Sequence, residues 1–170
     1  YAFGVSVAAA GDVNHDGFGD VVVGAYENDA KGANAGRAYV YFGGPTMDGR
    51  PDAVFTGEMP GDAFGYAVAG AGDVNRDGFA DLVVGAYENS ARGAGAGRAY
   101  VFYGGARPDA LPDAILNGEA AGDRFGISVA GAGDVNGDGF TDVVVGAYQN
   151  DAGGADAGRA YLYLGGARLV

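Results

Sequence analysis

Asp12, Asn14, Asp16 and Asp20 occupy positions 1, 3, 5 and 9 of the nonapeptide Asp12-Val13-Asn14-His15-Asp16-Gly17-Phe18-Gly19-Asp20. Side-chain oxygens at alternate positions point to one side as a chain curls. A glycine at position 6 permits the positive φ that a sharp turn demands. The peptide carbonyl of Phe18 is a further oxygen in reach, and Asp20 closes the ring from the start of the strand that follows. A set of this kind suits a hard cation. Ca²⁺ takes about 6–8 oxygen ligands at roughly 2.3–2.6 Å, whereas Mg²⁺ demands a tighter octahedron and sheds water reluctantly. Zn²⁺ would want His or Cys. The expected cofactor is therefore calcium.

The pattern returns twice. Asp73, Asn75, Asp77, Phe79 and Asp81 form the second candidate ligand set, and Asp134, Asn136, Asp138, Phe140 and Asp142 form the third. Three sites are expected, one per repeat. Position 12 of the run is Val23, Val84 or Val145. A helical EF-hand loop requires Glu there, and a dockerin loop requires Asp, so neither applies. A plain Asp-Gly hairpin needs two turn residues, not nine with four spaced oxygen donors.

The loops sit inside a larger repeat. Phe3-Gly4, Phe64-Gly65 and Phe125-Gly126 share one spacing with the loops, and so do Gly36-Arg37, Gly97-Arg98 and Gly158-Arg159. Aligning Phe64–Ala106 with Phe125–Ala167 gives 31 identities in 43 positions. Each unit reads as four short strands. In the second these are Phe64–Ala69, Asp81–Ala86, Arg98–Tyr103 and Asp113–Leu116; the first unit's fourth strand is Asp52–Phe55. β-Branched and aromatic runs bounded by Gly, Pro, Asn and Asp are strand signals. No segment keeps a helical apolar period. The second and third strands are apolar at successive positions, as expected where other sheets cover both faces.

A four-stranded antiparallel unit in tandem points to the blade of a β-propeller, with a right-handed β-solenoid as the alternative. The predicted architecture is all-β, a single repeat domain over 1–170 with blades at 1–60, 61–121 and 122–170. The third unit stops before its fourth strand, so a partial ring is expected. Arg159–Leu164 would then be an open edge, which invites a pairing partner. Propellers close with about four to eight blades. The ring is thus expected to be completed either by further blades of a longer chain or by copies of this one, two half-rings making a closed two-fold assembly.

The order Phe-Gly, then GDVNxDGxxD, then VVGAY, then GRAYVY resembles the FG-GAP repeat of the integrin α-subunit propeller, over nearly the whole chain. One departure stands out: the Pro of the eponymous Gly-Ala-Pro is Tyr26, Tyr87 and Tyr148 here. That position lies beyond the second strand, away from the ligand set. The resemblance implies a non-enzymatic, calcium-binding extracellular or cell-surface scaffold for adhesion or protein–protein interaction. It also leaves open a carbohydrate-binding lectin-like module, or a non-catalytic appendage of a secreted hydrolase or lyase.

Composition narrows the partners. There are 22 Asp and Glu against 10 Lys and Arg, a formal net charge of −12. Such an excess argues against nucleic acid and anionic membrane. Nine of the acids belong to the loops, and three divalent ions would halve the imbalance. No Cys is present, which excludes disulfides and thiolate metal sites and fits a bacterial protein. No apolar run approaches the ~20 residues of a membrane span, so membrane insertion is not expected. The chain begins at Tyr1 without Met or a visible leader, and reads as a mature product or an excised piece. Protein, including copies of the chain, is the expected partner, with glycan as the alternative.

No catalytic residue is expected. His15 is the sole histidine, at an outward loop position, and no nucleophile–base pair accompanies it. Asp62 and Asp123, preceding Phe-Gly, read as Asx-type turns, or else as ligand contacts on the propeller face. Tyr26, Tyr87 and Tyr148 read as packed rings with bonded hydroxyls, or as sugar platforms. Arg37, Arg98 and Arg159 read as structural partners of loop acids or carbonyls.

Overall fold

A computed structural model describes residues 2–169, in which every regular element is a strand. The first sheet is a meander of β1 (Ser6–Gly11), β2 (Asp20–Ala25), β3 (Arg37–Tyr41) and β4 (Ala53–Thr56). The second repeats it with β5 (Ala67–Gly72), β6 (Asp81–Ala86), β7 (Arg98–Phe102) and β8 (Ala114–Asn117). The third holds β9 (Phe125–Gly133), β10 (Asp142–Ala147) and β11 (Arg159–Tyr163), so that β11 is its edge and Leu162 is half exposed. All pairs within the sheets are antiparallel. Three such sheets form a partial propeller with an unclosed ring.

The sheets stack face to face. One apolar core fills the space between the first and second, around Val22, Val40, Phe55, Phe64, Leu82, Val84, Tyr100 and Phe102. Another lies between the second and third, around Val83, Val101, Leu116, Phe125, Val143 and Val145. Successive apolar positions on β6 follow directly: Leu82 and Val84 face one core, Val83 the other, and the strand is buried throughout. Phe55 stacks on Phe102 with centroids 4.1 Å apart, and Phe64 meets Tyr100 edge-on at 5.3 Å.

The glycines of the repeat mark where blades touch. A Cβ on Gly85 would lie 1.9 Å from the carbonyl oxygen of Gly126, and Gly24 stands in the same relation to Gly65. The Gly-Ala of one blade is thus the seat of the Phe-Gly turn of the next. That turn also corrects the first-strand boundary. Ala63 and Gly65 take positive φ, and Phe64 makes only an isolated bridge to Gly36. β5 therefore starts at Ala67 rather than Phe64 and runs on to Gly72. The fourth strands likewise begin one residue late, at Ala53 and Ala114, because Asp52 and Asp113 turn their carboxylates onto the amides of Phe42 and Tyr103.

Candidate metal centre

Each nonapeptide joins the first two strands of its sheet, and the three fold alike. In the first, the Asp12 carboxylate accepts the N–H groups of Asp16 and Gly17, at 3.0 and 2.8 Å. Asn14 accepts from the Asp16 amide at 3.1 Å and donates through Nδ2 to the Asp16 carboxylate at 2.9 Å. Asp16 accepts the Phe18 N–H at 2.9 Å. The second loop repeats this with Asp73, Asn75, Asp77 and Phe79. The third repeats it with Asp134, Asn136, Asp138 and Phe140. Gly17, Gly78 and Gly139 all sit at φ 91°, the left-handed region that the motif's sixth position requires.

The ninth position behaves differently. Asp20, Asp81 and Asp142 are buried, with relative exposures of 2%, 0% and 0%. Asp81 accepts the Val74 N–H through one oxygen and the Gly104 N–H through the other, both at 2.8 Å. Asp20 does the same with Val13 and Gly43, and Asp142 with Val135 and Gly165. Burial, with a smaller contribution from the charges of Asp77 and Asp73, pushes the Asp81 carboxyl up to about 7 against the lowering effect of its two amide donors. Asp20 is raised in the same way. Asp138 is held below the usual carboxylate range by the Phe140 amide and the Asn136 side chain, with a smaller contribution from Arg76.

The structure thus gathers positions 1, 3 and 5 of each loop and sets position 9 behind them. Among the described residues no three acidic or histidine side chains converge at metal-ligating distances. In every loop the carboxylates at positions 1 and 5 are held by the loop's own amides, and the one at position 9 by one loop amide and one amide beyond the third strand. The donor chemistry nonetheless fits a hard divalent cation. It is all oxygen, every loop carboxylate oxygen except Asp134 Oδ1, which accepts the amides of both Gly137 and Asp138, retains a lone pair, and no lysine or arginine among the described residues forms an ion pair with a loop acid. The described ion pairs lie elsewhere, at Arg98–Glu58, Arg124–Glu88 and Arg159–Glu119.

The opposite end of the blades carries the β2–β3 and β4–β5 loops and their counterparts. Asp62 and Asp123 are both 3% exposed and accept the amides of Met59 and Ala120 at 2.9 Å, which is the turn role. Tyr26 donates to Glu27, and Tyr26, Tyr66 and Tyr87 form a chain of edge contacts at 5.3 and 4.6 Å. Tyr148 remains 54% exposed. Arg98 and Arg159 pair with Glu58 and Glu119 of the preceding blade, as expected of structural arginines, whereas the Nε of Arg37 is buried without a partner. The difference is local: Arg98 donates Nε–H to Asn117 at 2.8 Å, and the residue equivalent to Asn117 is Thr56.

Two groups here take roles that the sequence reading does not assign. Asn28, Asn89 and Asn150 donate to the hydroxyls of Tyr39, Tyr100 and Tyr161, tying the β2–β3-type loop to the strand beneath it. Their recurrence at the repeat spacing was the available signal. Arg124 reaches Glu88 and Gln149 and lies over the Tyr87 ring at 5.9 Å. Its counterparts are Ala2 and Ala63, so no repeat could have flagged it.

Comparison with known proteins agrees with this architecture. Residues 3–41, 64–102 and 125–163 each match the model of the FG-GAP repeat. The chain is 34% identical to integrin alpha-5 of Xenopus laevis over 173 aligned residues, covering 95% of this chain and 16% of that protein. It is 38% identical to human integrin alpha-IIb over 158, covering 86% and 15%, and 36% identical to human integrin alpha-7, covering 88% and 12%. The chain therefore spans about a sixth or less of the curated relatives it matches. Each matched segment runs from the Phe-Gly turn through the nonapeptide to the third strand, the same stretch that builds each sheet's first three strands. The chain belongs to the FG-GAP repeat family.

Proposed function

We propose that this chain is a calcium-stabilised segment of an extracellular β-propeller that serves as a non-enzymatic scaffold for protein–protein interaction. Its blades are taken as 1–60, 61–121 and 122–170. The observation that carries the reading is the threefold recurrence of an all-oxygen loop whose acids form none of the described ion pairs. Asp12, Asn14, Asp16, the Phe18 carbonyl and Asp20 would hold the first ion, and the equivalent residues the other two. A bound divalent cation supplies charge neutralisation. The residues around it do the positioning: Asn14 and Asp16 hold each other, and Asp20 ties the loop to β2 and to the amide of Gly43. Extracellular sites of this kind bind at about 10⁻⁴–10⁻³ M, a range that suits calcium outside the cell.

The similarity to integrin alpha subunits supports an adhesion role. The face opposite the nonapeptides supports a docking surface, with its tyrosine chain and a cavity of about 520 Å³ lined by Glu58, Asp62, Glu88, Asn89 and Ser90. Further blades or copies of the chain are the proposed occupants of the β11 edge.

The test is thermal unfolding after chelation with EDTA and again with millimolar Ca²⁺. Chelation is expected to lower Tm and calcium to restore it. A melting curve indifferent to both would remove the calcium reading and leave only the propeller.

A further inference from the structure

The fourth position of each nonapeptide is not a ligand candidate, yet it takes an unusual backbone. His15 and Arg76 lie at φ 58° and 59°, where the third repeat has Gly137 at 75°. The left-handed region is disfavoured for any residue bearing a Cβ. In both cases the side chain leaves its own loop and crosses to the next blade. The His15 ring meets Phe79 edge-on at 5.7 Å. The Arg76 guanidinium lies 5.5 Å from the Phe140 centroid, and a Cβ on Gly139 would come within 2.8 Å of its Nη1. Arg76 therefore rests on the turn of the third loop, next to Asp138. The crossing is fixed by the backbone as well. The Ala80 N–H donates to the Asp12 carbonyl at 3.0 Å, and the Thr141 N–H to the Asp73 carbonyl at 3.1 Å.

We propose that Arg76, a member of the second loop, sets the cation affinity of the third. It is a tethered positive charge held over the third loop's candidate ligands, and it weakens divalent cation binding there. This rests on the calcium reading above. The charge repels an arriving cation. His15 occupies the same station before the second loop with an imidazole, so no guanidinium from the preceding blade rests on the second loop. A unit charge within a Debye length of a divalent ion in a water-like medium lowers its affinity by about threefold to tenfold.

The test is calcium titration of the ¹⁵N-labelled chain, followed at the amides of Gly78 and Gly139. It is run at about 20 mM salt and again at about 0.5 M, where screening shortens the interaction range to roughly 4 Å. At low salt Arg76→Gln should tighten the third loop by about threefold to tenfold and the second by less, because the guanidinium leaves that loop for the third. Arg76→Lys should behave as the parent, and high salt should close the gap. Arg76→Gly is the second charge-free variant, since Gly137 already occupies this backbone in the third repeat, and it should tighten the third loop likewise. An unchanged third loop, an equal shift in both loops, or a difference that persists at high salt overturns the proposal. Parent spectra that ignore calcium at both loops would overturn the calcium reading itself, and this proposal with it. That failure is recognisable because it appears before any substitution is made.

Discussion

Gly85→Ala tests whether the family's glycines are joints between blades. The added Cβ would lie 1.9 Å from the Gly126 carbonyl oxygen and 3.0 Å from its carbonyl carbon. Both atoms are backbone, so no side chain can swing aside. An ordinary carbon–oxygen contact is above 3 Å, and relieving the overlap requires the Phe-Gly turn of the third blade to retreat by more than 1 Å. That retreat loosens Phe125 from the core it shares with Val83 and Val101. Overpacking of this kind costs about 1–3 kcal/mol, while the stiffer unfolded chain returns about 0.4–1 kcal/mol. The net loss of about 1–2 kcal/mol corresponds to a fall in Tm of about 2–8 °C for a chain of this size. Gly105→Ala is the control, because a Cβ there meets nothing within 4 Å. Thermal melts of the two variants are the assay, with hydrogen exchange across Val143–Ala147 as a local reading. In a stack of repeats, a weakened interface frees the unit beyond it first, so exchange in β10 should rise before that in β2. If Gly85→Ala melts with Gly105→Ala, the close approach does not hold the blades together and the argument fails.

Three further substitutions probe the opposite face. Burial raises the Asp62 carboxyl above its ordinary value, so the folded state binds that proton more tightly than the unfolded chain. Its contribution is present at low pH and is lost as pH rises through the folded pKa. Asp62→Asn should therefore lose less stability than the parent as pH rises above about 4, as read by denaturant titration; equal slopes would count against it. Asn89→Ala should cost about 1–3 kcal/mol, because it leaves the amide of Ala91 and the Tyr100 hydroxyl without their partner in a buried setting. Glu58→Gln, which removes only the exposed side of the Arg98 pair, should cost less than about 1 kcal/mol. A reversal of that order in urea unfolding would refute the assignment.

Much of the fold was legible because repetition multiplies weak signals. A short apolar run such as Leu82-Val83-Val84 says little alone; the same run three times at one spacing, each after a nonapeptide, says strand, and β2, β6 and β10 follow that reading. What stayed hidden was the work of residues that act between units. Nothing in the sequence distinguishes a Phe that opens a strand from one that plugs the next interface, so β5 was placed three residues early. Arg124 lies outside the repeat, and its ring and carboxylate partners, Tyr87 and Glu88, are distant in sequence. Arg37 and Arg98 look alike in sequence and differ in the structure through Thr56 against Asn117, a change on a neighbouring strand.

The candidate site divides along the same line. Positions 1, 3 and 5 are local: their partners lie within five residues, and spacing alone foretells them. Position 9 is not local. Asp81 looks in sequence like one more ligand, yet its two oxygens bridge Val74, in the loop, to Gly104, at the end of β7. It would be needed there with or without a cation, since the buried Val74 amide alone costs about 1–3 kcal/mol when unpaired. The neighbouring carbonyls of Asp12 and Val13 accept amides from Ala80 and Gly105 in the following blade. The nonapeptide is thus a joint between strands and between blades as well as a candidate cation loop. Its ninth residue fills the first role, and a buried carboxylate that accepts two amides still has lone pairs with which it could fill the second.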